Sequence, residues 1–360
     1  MFLLDRLRRK VLFPATEFGQ GGRLAPVTPR PTPVARLDAP LRGIAFVLVG
    51  VSVFPLQDVV VKKLSAHYPL LQIGFVRSLV ALWPMALLAW WERGRAGLST
   101  QRPWWHLARA SLAVLSFTSY YLALAALPLA EVVALYFAAP LFLTALSALV
   151  LGEPVGVRRW SAVVVGFFGV LVVLRPGTAL FEPAALLAVA SALFYAGSQT
   201  ITRELGRTES GATMALTSTL LYLLVAAVGG LVAGRHGSGE GLHPSLAFLV
   251  RGWVKPGSSE LALMALSGLI AGAGAYTLAQ GYRAAPASTL APFEYLMIVW
   301  AVLWGYVVWG DTPGPFTIVG VATTVGAGLY VLQHEATKNA RERRRARSYG
   351  PCSKQRLPAL

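Results

Sequence analysis

Long apolar runs alternate with short polar, basic or proline-containing connections along almost the whole chain. The runs lie roughly at 43–62, 69–91, 105–127, 130–151, 160–174, 183–203, 212–234, 260–281, 286–308 and 315–332. Most reach the ~20 residues that a helix needs to cross a hydrocarbon core ~30 Å thick. The fifth and tenth are the shortest. Apolar positions do not alternate with polar ones inside the runs, which excludes barrel strands. An open sheet is excluded because every backbone amide in lipid must be satisfied within its own segment or a closed barrel. The pattern predicts an all-α integral membrane protein with ten transmembrane helices.

The runs repeat. At an offset of 158 residues Pro128 falls on Pro286, Phe137 on Tyr295, Gly152 on Gly310 and Glu153 on Asp311. Spans one and six share a second trace, from Phe54 through Lys62-Lys63-Leu64 and from Phe194 through Arg203-Glu204-Leu205. Each half holds five spans, so its copy enters the bilayer from the opposite side. Two inverted five-helix repeats, 42–176 and 183–334, are expected, an arrangement used by alternating-access carriers. Ala162 to Gly166 and Ala322 to Gly326 are small-residue pairs that let helix backbones approach. They serve tight packing within the bundle or, alternatively, a homodimer face.

Composition supports the membrane reading. The chain of 360 residues is 55% hydrophobic and only 13% charged, and its mean hydropathy is +0.58. Its formal charge of +16 would suggest nucleic acid on a soluble protein. Here the basic residues gather at span ends instead, so no nucleic-acid partner is expected. With the N-terminus inside, 24 Lys and Arg fall on the cytoplasmic side and 6 outside, much of the excess lying in the tails. Both termini are therefore expected in the cytoplasm. Residues 1–41 read as a disordered basic tail, because Pro, Gly, Thr and Arg dominate 15–40. They make a poor signal peptide, since Asp5 and Arg6 follow the apolar start instead of preceding it. The tail 335–360 carries Arg341, Arg343, Arg344, Arg345 and Arg347, which suit anionic lipid headgroups. Residues 235–259 read as a flexible outer insertion, and His236 and His243 as solvated loop residues. The single cysteine, Cys352, supports neither a disulfide nor a metal site.

With these motifs in hand, the chain resembles the EamA type of the drug/metabolite transporter superfamily. The resemblance rests on Tyr120-Tyr121 through Leu127-Pro128-Leu129-Ala130-Glu131, Ala139-Pro140, Leu151-Gly152-Glu153 and Gly166 to Gly169. In the second half it rests on Ala279-Gln280-Gly281-Tyr282, Pro286, Ser288, Ala291 to Tyr295 and Trp309-Gly310-Asp311. It covers about residues 43–332. It implies ten helices in an inverted 5+5 repeat, an inner-membrane location and transport of small organic solutes, with no cofactor. Gln57-Asp58 to Lys62 and Phe75 to Ser78 are similar to a subgroup associated with S-adenosylmethionine, amino acids or carboxylates.

Ionisable groups inside apolar spans are costly and therefore mark function by default. Asp58 sits about one turn from the outer end of span one. Arg77 lies about two turns, ~12 Å, into span two from the same side. They form either a gating pair or a static one, unless Asp58 is held by Lys62 one turn on. Glu294 lies two turns into span nine, with Pro292 nearby to free backbone groups and Tyr295 adjacent. Its equivalent in span four is Tyr136. A carboxyl at that depth suits proton coupling or binding of an amine; the alternative is a neutral, hydrogen-bonded carboxylic acid. Gln57, Tyr120, Tyr121, Tyr136, Tyr195, Gln199, Tyr276 and Gln280 are the expected polar lining of a mostly apolar cavity. Adjacent Tyr120 and Tyr121 are expected to face different surroundings. Arg109, beside Trp104 and Trp105, reads as snorkelling to the interface. Glu131, Glu153 and Asp311 read as helix caps or water-facing groups.

These features predict a secondary transporter of a small polar or amphipathic metabolite (amino acid, carboxylate, amine or S-adenosylmethionine-like), proton-coupled. The chain has no Gly-x-x-x-x-Gly-Lys-Ser/Thr phosphate loop, so ATP hydrolysis by it is not expected. A membrane enzyme would need a nucleophile and base or a metal cluster. The five histidines read as loop or interface residues, which disfavours that class. A membrane solute sensor is the other alternative.

Overall fold

The computed structural model describes residues 33–94, 100, 102–150, 152, 156–177, 182–205, 209–233, 241–284, 290 and 293–348. The expected N-terminal tail to residue 32, Glu153, His236, Pro292 and everything after Ser348 lie outside them. The described residues contain twelve helices and no strand: α1 (Pro33–Ser65), α2 (Leu70–Arg93), α3 (Pro103–Ala126), α4 (Leu129–Tyr136), α5 (Ala139–Leu149), α6 (Val157–Leu174), α7 (Ala184–Leu205), α8 (Gly211–Ala233), α9 (Pro244–Val250), α10 (Ser258–Ala284), α11 (Leu296–Trp309) and α12 (Pro315–Ser348). The described residues from Asp38 on form one compact unit.

Among the described residues seven stretches are long and apolar enough to cross a bilayer: Leu41–Ser65, Leu70–Glu92, Pro103–Ala126, Leu129–Leu149, Ala184–Thr202, Gly211–Val232 and Ser258–Leu278. Trp160–Leu174, Leu296–Trp309 and Pro315–Tyr330 are shorter apolar helices. Large apolar side chains point outward, among them Trp83, Phe168 and Leu231 at 77%, 61% and 75% exposure. Buried polar groups such as Gln57 and Asp58 lie inside. A water-soluble protein reverses that arrangement.

The fourth span is broken. Pro140 has no N–H for the Tyr136 carbonyl, and its ring crowds that oxygen. The chain answers with a tight turn at Phe137 and Ala138, where Ala138 N–H reaches Leu135 O at 3.1 Å. Helix restarts at Ala139. At the equivalent place in the second half Phe293 and Glu294 are helical, Tyr295 is a turn and α11 starts at Leu296. Both breaks therefore fall at the 158-residue offset. So do two left-handed glycines, Gly152 at φ 67° and Gly310 at φ 71°, a backbone region that residues with a Cβ avoid.

Packing is closest where glycine allows it. A Cβ on Gly169 would lie 2.7 Å from Gly320 O, and one on Gly320 would lie 2.6 Å from Gly169 O. The α6–α12 contact thus centres on Gly169 and Gly320, whereas Gly326 faces open space. The α3–α7 and α2–α8 pairs are the other extensive contacts. Between α1 and α10, Gly50 meets Leu278 and Gly274 meets Phe54.

Three expectations need correction. Residues 241–257 are a fitted cap instead of a free loop. His243 caps α9 by accepting from Ser245 N–H and lies 2.7 Å from Glu182 Oε1. Ser245 donates to Leu122 O at 2.7 Å, Phe248 is buried, and Gln72 exchanges two hydrogen bonds with the Val254 backbone. Second, helix extends beyond both predicted boundaries: α1 begins at Pro33 and α12 runs to Ser348. Third, Arg109 does not snorkel. It is buried and donates to Met214 O and, at 2.7 Å, to Ser218 Oγ, clamping α3 to α8. His106, one turn earlier, is also buried within α3, with Nδ1 at 3.1 Å from Thr217 Oγ1.

Candidate functional site

Asp58 anchors the site. It is 4% exposed on α1, and its two oxygens accept from two hydroxyls of α3, Tyr120 to Oδ2 at 2.8 Å and Tyr121 to Oδ1 at 3.1 Å. Successive residues on a helix stand 100° apart, and the carboxylate sits in the angle between them. The two tyrosines therefore meet one acid, contrary to the expectation that they face apart. Gln57 Nε2 donates to the Tyr121 hydroxyl, while Gln57 Oε1 is buried without a hydrogen-bond partner. The carboxyl thus bridges two neighbouring hydroxyls of α3.

Rings continue from there. Tyr120 meets Tyr136 edge-on at 5.3 Å, and Tyr136 meets Tyr195 at 5.5 Å. Gln199 Nε2 donates to the Tyr195 hydroxyl at 2.7 Å, one turn away on α7. Tyr195 is 38% exposed despite these contacts. In the other direction Tyr121 packs on Phe117 at 4.5 Å, and Phe117 on Tyr222 at 5.5 Å. Such tilted and edge-on pairs are the preferred aromatic geometries. Phe117 and Tyr222 were not singled out by sequence; the only available signal was their position on the apolar faces of spans three and seven.

Arg77 does not contact Asp58. No ion pair within 4.0 Å joins them, although they lie within electrostatic reach. The guanidinium instead lies 3.8 Å over the Phe117 ring. Lys62 does not hold Asp58 either: its Nζ donates to Leu127 O at 2.5 Å and sits 5.1 Å from the Trp309 centroid. Glu294 is half-buried and within electrostatic reach of Tyr136, Tyr195 and Tyr295. Tyr295 packs on Phe137 at 5.1 Å. Tyr276 is 37% exposed on α10, and neither it nor Gln280 makes a hydrogen bond or ring contact with this cluster among the described residues.

A second cluster ties α4, α6 and α12 at the end of the bundle where α1 finishes. Glu131 accepts from Thr317 at 3.2 Å and lies 3.8 Å from Arg175, whose guanidinium covers Phe316 at 4.9 Å. Glu131 thus bridges helices instead of merely facing water.

Comparison with known proteins places this geometry. The family model of EamA-like transporters matches twice, at residues 41–175 and 182–332. The chain belongs to the EamA-like transporter family. A riboflavin transporter from Rhizobium johnstonii is 33% identical over 295 residues, covering 80% of this chain and 90% of its own. A riboflavin transporter from Vibrio cholerae is 30% identical, covering 84% and 97%. An S-adenosylmethionine uptake transporter from Rickettsia prowazekii is 26% identical, covering 82% and 94%. A solved crystal structure matches the fold with a TM-score of 0.53 at 19% identity, over 82% of this chain and 96% of that one. This EamA-like protein is a multi-pass membrane transporter of small metabolites. Among the described residues no group of three or more His, Cys, Asp or Glu could hold a metal ion.

Proposed function

We propose that this EamA-like protein is a proton-coupled, alternating-access carrier of a planar heteroaromatic metabolite. Ten spans in two inverted five-helix repeats, with both termini cytoplasmic, form its frame. The observation that carries the substrate class is the ladder of six rings, Tyr222, Phe117, Tyr121, Tyr120, Tyr136 and Tyr195, running through the bundle. Aromatic faces and edges offer a flat solute stacking contacts, while hydroxyls and amides orient it. Riboflavin carries a tricyclic flat ring and S-adenosylmethionine an adenine, so the relatives named for those solutes are consistent with this class.

Two acids border the ladder in unequal settings. Asp58 is tied by two hydroxyls, and Glu294 lies near the two tyrosines at the far end. We assign Glu294 the proton and Asp58 the orienting role for Tyr120 and Tyr121. In the proposed topology the Glu131–Arg175 cluster closes the outer end. The cavity beside Arg77 then sits near mid-membrane, against the middle of α2 and α3 and the half of α8 that approaches residue 211.

Purified protein in liposomes tests the reading. Riboflavin flux, read by flavin fluorescence, is expected and should rise when an inward or outward pH gradient is imposed. Absence of flux for riboflavin and for S-adenosylmethionine alike would overturn the substrate class. Flux indifferent to the gradient would remove the proton.

A further inference from the structure

Arg77 faces a cavity that the ladder does not account for. It is about 210 Å³ in volume and lies between α2, α3, α8 and α10, with Arg77, Ser78, Phe117, Ser218, Thr219 and Tyr222 in its wall. Among the described residues no carboxylate lines it. Phe117 covers one face of the guanidinium, leaving the N–H edge in the ring plane, where a fork of donors can meet a carboxylate. Arg77 makes no hydrogen bond or ion pair with a described residue. Asp58, an acid within its electrostatic reach, has both oxygens engaged by Tyr120 and Tyr121. A cation-π contact does not neutralise a charge held away from water.

Ser218 adds a second donor. Arg109 donates to its Oγ at 2.7 Å. The oxygen is therefore an acceptor already, and its own hydrogen is free to point elsewhere. Thr219 differs, because its hydroxyl is spent on Ala215 O at 3.0 Å. The wall thus offers a guanidinium edge, a hydroxyl hydrogen and two aromatic rings.

We propose that this cavity is an anion subsite, in which Arg77 and Ser218 hold a carboxylate of a solute whose ring rests on Phe117 and Tyr222. The subsite rests on the reading of the chain as a small-solute carrier, and not on which solute it moves. Benzoate and its neutral isostere benzamide separate the two questions. With full-length protein in nanodiscs, benzoate should raise the melting temperature saturably, with an affinity about tenfold above that of benzamide, as one charge-assisted contact gives. Arg77→Gln should erase the difference, Arg77→Lys should keep part of it, and Ser218→Ala should reduce it severalfold. Should Arg77→Gln fail to fold, the unaltered protein still decides. Benzoate, and not benzamide, should slow modification of Arg77 by phenylglyoxal, read by peptide mass. Equal affinity for both compounds, or modification unaffected by benzoate, overturns the subsite. Riboflavin flux measured in parallel is independent. Its loss with the benzoate preference intact sinks the heteroaromatic reading alone, and the reverse outcome sinks the subsite alone.

Discussion

Tyr121→Phe should destabilise the protein more than Tyr120→Phe, although Tyr120 makes the shorter bond to Asp58. Both changes keep the ring and remove only a hydroxyl. Tyr120→Phe loses one donor to Oδ2, at 2.8 Å. Tyr121→Phe loses the donor to Oδ1, at 3.1 Å, and also the acceptor for Gln57 Nε2. Gln57 is 2% exposed, and its Oε1 already lacks a hydrogen-bond partner. Its amide would then be buried with neither end satisfied. Interhelical hydrogen bonds inside a membrane are worth about 0.6 kcal/mol on average and up to about 1.7, and a bond to a buried carboxyl belongs at the upper end. Stranding a buried donor costs about 1–3 kcal/mol. Tyr120→Phe should therefore cost about 1–2 kcal/mol and Tyr121→Phe about 2–4 kcal/mol. Reversible unfolding in mixed SDS micelles, followed by tryptophan fluorescence, measures the difference. A cycle with Gln57→Leu isolates the cause. In that background Tyr121→Phe should fall to the cost of Tyr120→Phe. A Tyr120→Phe cost equal to or above that of Tyr121→Phe, or a cycle with no coupling, would refute the assignment of Gln57 to this network.

Other outcomes follow from the same geometry. Glu294→Gln should leave the protein inserted and folded but make flux insensitive to an imposed pH gradient; retained pH-driven flux removes Glu294 from coupling. Asp58→Arg with Arg77→Asp should not rescue transport, because the two side chains have different partners; recovery of the single losses in the double swap would show a pair that forms in another state. Gly320→Ala should destabilise by about 1–3 kcal/mol through backbone overlap, since the new carbon would lie 2.6 Å from Gly169 O, while Gly326→Ala should be silent. Equal melting temperatures for those two variants would locate the helix contact elsewhere.

The all-helical membrane character was legible in the sequence because the bilayer imposes one period and one length on every span; among the described residues seven helices meet that length, and three shorter apolar helices fall on the other runs. Asp58 was legible for a related reason: a charge inside such a run has few explanations. Its partners were not, since which helix faces which depends on packing that no local pattern encodes. Tyr120 and Tyr121 were split by a rule about neighbouring residues, yet Asp58 enters from a second helix and spans both. Arg109 was assigned to the interface by its tryptophan neighbours; the decisive fact was the Met214 carbonyl on α8. The cap at 241–257 was hidden by the Gly/Ser composition just before it, and its anchors act only through distant contacts: Phe248 is buried, and Trp253 packs on Phe75 of α2 at 5.3 Å.

The contact of Phe137 with Tyr295 joins equivalent positions of the two halves, and Tyr136 lies within electrostatic reach of its own equivalent, Glu294. When the halves of an inverted-repeat carrier exchange shapes, most contacts are traded for their counterparts. A contact between counterparts is exchanged with itself and survives the swing. In the carrier proposed above, the two helix breaks would form a fulcrum, a joint built from the residues beside Glu294. On that proposal chemistry and leverage share one point, and protonation of Glu294 would act on the hinge without a relay across the bundle.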